Sequence, residues 1–201
     1  MNIEGELRVE DLMSLEEYSK NRSNFRNKVM RHKKIRRVAI GPNLTVYFES
    51  KLTIQYQVQE MLRIERIFER QAVEEEFCAY ASLIPDRHNL KATMMLEYVD
   101  AAVRRRKLTE LKGIEKGIWL KIGNFERKFA FADEDLERED KKKTSAVHFL
   151  RFAITSEMGI AMQRGDKLVI GVEHPAYGAE PSVIPKDTYE SLLADLNCKR
   201  L

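Results

Sequence analysis

The chain has 201 residues, a net charge of +3 and 33% charged residues, a size that suits one domain or two small ones. Its 43% hydrophobic content supports an ordinary packed core, and so small a net charge does not announce nucleic-acid binding. The two cysteines, Cys78 and Cys198, form no CxxC pair and are too few for a disulfide scaffold.

No run approaches the roughly 18 apolar residues of a membrane span. Residues 1–9 alternate acidic and apolar side chains with no basic stretch ahead of an apolar one, which argues against a signal peptide. A cytoplasmic protein with reduced thiols is the expectation.

In chain order, Ser14 followed by Glu17 reads as a capping box. The helix after it carries Leu15, Tyr18, Phe25 and Val29 on one stripe, interrupted by Arg22, and should fade near His32. Residues 37–40 and 44–48 flank Gly41-Pro42-Asn43 and predict a hairpin. A strongly periodic helix follows over residues 53–71, then a second over 72–82. The loop at 83–89 marks a lobe boundary. Beyond it the spacing predicts a strand at 91–99, a basic helix at 101–111 and a second hairpin at 117–122 and 126–131. Residues 133–144 read as an exposed charged loop. A strand at 145–154, a short helix at 156–163, a strand at 167–173, a turn at His174-Pro-Ala-Tyr177, an extended stretch at 179–184 and a helix led by Pro185 close the chain. Hairpins outnumber βαβ units, so the fold class is α+β: N-terminal helices and a β-hairpin packed with a mainly antiparallel sheet. The expected division is a helical lobe at 1–85 and a sheet-rich lobe at 86–201, with one compact domain as the alternative.

The helix at 53–71 is the most informative segment. At about 100° per residue, Ile54, Val58, Met61, Leu62, Ile64, Ile67 and Phe68 form an apolar arc, while Gln55, Gln59, Arg63 and Arg66 face water. Glu60 and Glu65 fall inside the apolar arc. An ionised carboxylate there costs several kcal/mol unless it is paired. Either an interior arginine answers it, with Arg22 as the candidate, or a polar cavity holds a metal or small anion. A di-iron bundle site wants Glu-x-x-His on two helices, and the chain has none. Its four histidines, His32, His88, His148 and His174, lie on separate elements. The weaker metal candidates are Glu60, Glu65, His148 and His174.

Lys28, Arg31, His32, Lys33, Lys34, Arg36 and Arg37 crowd one stretch. They suit a solvated helix C-terminus or an anion patch at Lys33, Lys34, Arg36 and Arg37. The block lacks interleaved aromatics, and no RNP, GxxG or zinc-finger spacing appears, so nucleic acid is not the expected partner. His148 and Arg151 are an odd number of positions apart on one strand and should face opposite ways. His174 and Tyr177 share a turn, where they form an acid–base pair or a rigid capped corner. Phosphate loops and a GxSxG elbow are absent.

Several segments together resemble a known bacterial family. They are Tyr18, Arg22 and Phe25-Arg26, then Arg36-Arg37-Val38 before Gly41-Pro42-Asn43, Phe48-Glu49, and Gln57-Val-Gln-Glu60-Met-Leu-Arg63-Ile-Glu65-Arg66. Trp119-Leu-Lys-Ile-Gly123, Ser145-Ala-Val-His148-Phe-Leu-Arg-Phe152 and His174-Pro-Ala-Tyr177 continue the match. From about Leu12 to Leu196 the chain is similar to the domain of unknown function 3501. That resemblance implies no catalytic residue and no cofactor. The genes of the family often neighbour those of rubrerythrin-like and iron–sulfur oxidoreductase proteins, so it implies a redox or oxidative-stress setting and a redox or iron–sulfur protein as partner. Two functional readings follow. One is an accessory or binding protein, the other a metalloprotein or enzyme with a site around Arg22, Glu60, Arg63 and Glu65. The sequence leaves the oligomeric state open.

Overall fold

The computed structural model describes residues 7–134 and 143–196. Cys198 and residues 135–142 of the expected charged loop lie outside them. The elements are α1 (Leu15–Lys34), β1 (Arg37–Ile40), β2 (Leu44–Phe48), α2 (Lys51–Glu65), α3 (Arg70–Ala81), β3 (Asn89–Leu96), α4 (Ala101–Glu110), β4 (Ile118–Ile122), β5 (Lys128–Phe129), β6 (Phe131–Ala132), β7 (Val147–Ala153), α5 (Ser156–Gln163), β8 (Leu168–Val172), β9 (Ser182–Val183) and α6 (Lys186–Leu196). The class is α+β with two antiparallel sheets.

One sheet runs β1-β2-β3-β7-β6 and the other β5-β4-β8-β9. The stretch 128–132 belongs to both. Phe129 pairs with Trp119 of β4, and two residues later Phe131 pairs with Arg151 of β7. The expected second hairpin therefore forms between β4 and β5, and its second strand runs on into the other sheet as β6. At the far edge, Ser182 Oγ donates to the Ala39 carbonyl (2.8 Å) and Tyr177 Oη to the Ile40 carbonyl (2.7 Å). The sheets thus curl around one interior and leave no long open edge there. Ile40, Val46, Met94, Leu120, Phe152 and Ile170 share that core with Met158 and Met162 of α5 and Leu192 and Leu196 of α6. The segments 1–85 and 86–201 share this sheet: β2 of the first pairs with β3 of the second, Leu44 opposite Leu96.

The three-residue turn between β1 and β2 needs glycine. Gly41 has φ +69°, and a Cβ there would come within 3.0 Å of Ala179 and of the Tyr177 hydroxyl.

α1 begins at the expected box, with Ser14 accepting from the Glu17 amide, and runs to Lys34 rather than fading at His32. It packs antiparallel to α2. Phe25 meets Tyr56 (centroids 6.2 Å apart), and His32 at the end of α1 meets Ser50 at the start of α2 (2.9 Å). A second, smaller core of Ile54, Val58, Leu62 and Leu83 seats α2 and α3 against Phe149 on the outer face of β7.

The helix at 53–71 is shorter than its periodicity. α2 ends at Glu65 because Arg66 turns left-handed (φ 56°), and the amides of Arg66 and Ile67 both close on the Leu62 carbonyl. Ile64 and Phe68, expected in the core, are 58% and 73% exposed. Gln59, expected in water, is fully buried: its amide accepts from the Met13 N–H (2.6 Å) and donates to the Met13 carbonyl (3.1 Å).

Arg36 is the other reversal. Expected on an anion patch, it is 1% exposed. Its guanidinium donates to the carbonyls of Phe48 (2.9 Å) and Glu49 (2.7 Å), to Ser191 Oγ (2.7 Å) and to Asp195. This cation joins the end of α1, the β2–α2 junction and α6. Arg36→Ala leaves Asp195 and two carbonyls without their donor. It should destabilise the fold by about 3–5 kcal/mol, read as a lower urea midpoint with α6 losing amide protection first.

Candidate functional site

The interior carboxylate of α2 is answered by α1. Arg22 Nε donates to Glu60 Oε1 (2.7 Å) and Nη2 to Oε2 (2.9 Å), a two-point clasp. Tyr18 Oη adds a bond to Oε1 (2.5 Å), and Arg63 stands 3.5 Å from Oε2. The Arg22 clasp holds the Glu60 carboxyl down at about 2, against burial, which acts the other way. The Tyr18 phenol is pushed up by burial and by Glu60. Glu65, expected beside Glu60 on the inner arc, is the last residue of α2 and is exposed.

His148 is fully buried on β7 and faces away from Arg151, as the odd spacing requires. Its Nδ1 is 2.5 Å from Asp133 Oδ2. Its Nε2 is 2.7 Å from Thr144 Oγ1 and 3.1 Å from the Ser145 carbonyl, with Glu115 Oε2 at 3.8 Å. Both ring nitrogens are thus engaged within the fold, Nδ1 by Asp133 and Nε2 by Thr144 and the Ser145 carbonyl. Thr144 is 1% exposed, so this Asp–His–Thr line has no open side for a substrate. Sequence reading missed Asp133, Thr144 and Glu115 because they meet His148 only through the sheet crossing.

His174 Nε2 donates to the Lys112 carbonyl (3.1 Å), and its Nδ1 accepts from the Ala176 amide (3.2 Å). Tyr177 is buried, with its hydroxyl on the Ile40 carbonyl. The pair is a capped corner that fastens the turn to the β1–β2 hairpin. Among the described residues, no three His, Cys, Asp or Glu side chains gather as metal ligands. Glu60, Glu65, His148 and His174 therefore do not come together.

An open cleft of about 110 Å³ lies between the end of α3 and the outer sheet face. Ser82, Leu83, Phe131, Phe149 and Leu150 form its walls, with Lys91, Glu134 and Arg151 at the rim. Glu134 grips Arg151 at two points (2.6 and 2.7 Å), and the Arg151 guanidinium lies 4.3 Å from the centre of the Phe131 ring. Cofactor and small-molecule sites usually enclose about 300–1,000 Å³, so this cleft suits one ring or side chain.

The basic block divides. Arg36 is interior, whereas Lys28, Arg31 and Lys34 are exposed and Lys33 is half-buried. His32, between them, is pushed down to about 4 by burial and by Arg36 and Lys28. Several surface cations elsewhere have a carboxylate: Lys20 with Glu16, Arg70 with Glu74, Lys107 with Glu110. Arg37 lies 3.8 Å from Glu97. Among the described residues, Lys28, Arg31, Lys33 and Lys34 pair with none.

Because the Glu60 carboxyl is depressed in the fold, its contribution to stability is full above the ordinary carboxylate value of 4.5 and is lost as pH falls toward about 2. Glu60→Gln should lower stability near pH 7 by about 1–2 kcal/mol, since Arg22 is partly solvent-screened. The gap from the parent should close across that acid window in denaturation curves recorded at stepped pH.

Among the described residues no helix is long and apolar enough to cross a membrane. The chain is similar over its length to a novel protein of unknown function from Burkholderia pseudomallei K96243, known from a crystal structure. The two share 43% sequence identity, with 95% of this chain and 99% of that chain covered and a TM-score of 0.89. No curated protein matches. The family model described as a protein of unknown function (DUF3501) matches residues 6–196, and the chain belongs to that family.

Proposed function

We propose that this protein is a non-catalytic accessory protein that docks an acidic partner protein on the C-terminal end of α1. The observation that carries the reading is the cluster Lys28, Arg31, Lys33 and Lys34, which has no carboxylate partner among the described residues. The patch is also pre-organised. Arg36, directly behind it, is pinned by five acceptors, and Thr188 Oγ1 donates to the Ile35 carbonyl (2.6 Å). The exposed lysines therefore stand on a rigid corner, and less freedom is lost on binding. Cations in this setting mainly raise the association rate and select partners of opposite charge.

The gene neighbourhood of the family suggests the partner class, a redox or iron–sulfur protein working in the cytoplasm. Glu60, His148 and His174 support a binding role over a catalytic or metal one, because their hydrogen-bonding atoms are engaged within the fold. The test is titration calorimetry against the iron–sulfur or rubrerythrin-like protein of a neighbouring gene. Lys33→Glu combined with Lys34→Glu should weaken binding by about tenfold or more, with the melting temperature unchanged. Raising salt from about 50 to about 300 mM should weaken the parent complex and largely spare the variant. Equal affinity of parent and variant would exclude this surface.

A further inference from the structure

The strand that changes sheets presents an unusual outer face. In Arg127-Lys128-Phe129-Ala130-Phe131, the alanine turns toward the core and the two phenylalanines turn outward, 44% and 51% exposed. Along a strand, rings two residues apart stand about 6.6 Å from one another, so they offer separate stacking surfaces. Trp119, cross-strand from Phe129, is on the same side of the sheet but only 3% exposed, so it underlies the two phenylalanines rather than offering a free ring. It lies between Gly171, where a Cβ would meet the indole at 2.3 Å, and the Arg127 guanidinium, 4.3 Å from its ring centre. Its indole N–H is buried and has no acceptor among the described residues. Glu173 holds Arg127 over Trp119, as Glu134 holds Arg151 over Phe131. The one-ring cleft opens directly beside Phe131.

We infer that this face binds single-stranded nucleic acid. Exposed rings with guanidiniums layered over their neighbours stack on any base, and lysines alongside neutralise phosphates. Arg127 and Arg151 are paired with Glu173 and Glu134, Asp86 and Glu126 stand nearby, and Lys121 and Lys128 are the lysines beside the rings that would meet phosphates. A nucleotide cofactor would need an enclosed pocket, and the cleft is too small for one. An open line of rings with a single-base notch fits an extended strand. The interleaving of aromatic and basic residues that the α1 block lacks is present here. The site is independent of the acidic-partner surface on α1 and does not rest on it.

The test uses the full chain with fluorescein-labelled oligouridine and oligothymidine of about 15 nucleotides, within the length such faces cover. Trp119 is the sole tryptophan, so its fluorescence reports on this face directly. The expected result is a rise in anisotropy, quenching of Trp119, and affinity that falls with salt. Phe129→Ala with Phe131→Ala, both exposed positions, should weaken binding about tenfold or more, and a matched duplex should bind at least as poorly. The Lys33→Glu, Lys34→Glu variant should still bind the oligomers. The two oligomers distinguish ribose from deoxyribose strands. The inference is overturned by no binding at low salt, by equal binding of parent and double-alanine variant, by duplex binding as tight as single strand, by loss confined to the α1 variant, or by sedimentation that shows the face closed in a dimer.

Discussion

A buried guanidinium sets the arrangement of the outer layer. Arg36 cannot leave the interior without donors and acceptors being stranded, and its acceptors come from three places: the carbonyls that end β2, Ser191 and Asp195. Satisfying all of them fixes where α1 stops, where α2 starts and where α6 docks. Burial pushes the Asp195 carboxyl up while Arg36 pulls it down, so neither group is at ease alone. The exposed lysines of the proposed docking surface owe their fixed geometry to this interior cation.

The helical layer uses the same device in a wetter setting. Arg22 and Glu60 each interrupt an apolar stripe, and antiparallel packing of α1 on α2 brings the two interruptions together. What looks like a candidate site on one helix is a structural clasp between two. His148 follows the same logic inside the sheet, where Asp133, Thr144 and the Ser145 carbonyl take up its hydrogen-bonding capacity. Arg36, Glu60 and His148 are each answered within the fold, and the surfaces proposed for partners lie elsewhere. One proposed surface is the basic corner of α1 and the other the aromatic face of 119–131.

The Arg22–Glu60 clasp was legible because both residues violate a periodicity of 3.6 on neighbouring helices. The β1–β2 hairpin was legible because Gly41-Pro42-Asn43 is a local turn signal. The break at Arg66 was hidden: an arginine in a left-handed cap has no compositional signature, and Ile64, Glu65 and Phe68 around it are exposed. Gln59 was misplaced because its buried amide is satisfied by Met13, a residue far away in the chain. The strand at 128–132 read as half of a hairpin, since nothing local reports that its two halves pair with different sheets.

The sequence by itself determined the α+β class, the order of nearly all elements, the family, and Arg22 with Glu60 or Glu65 as candidates for a helix clasp. These depend on short-range periodicity, caps and turns, which a single chain records directly. The tertiary structure alone decided that Arg36 is interior, that His148 sits between Asp133 and Thr144, and that Trp119, Phe129 and Phe131 share an outward face. Those outcomes depend on which strands pair and which side of each faces the core. That choice is made by closure of the two sheets around one interior, a constraint no local segment carries.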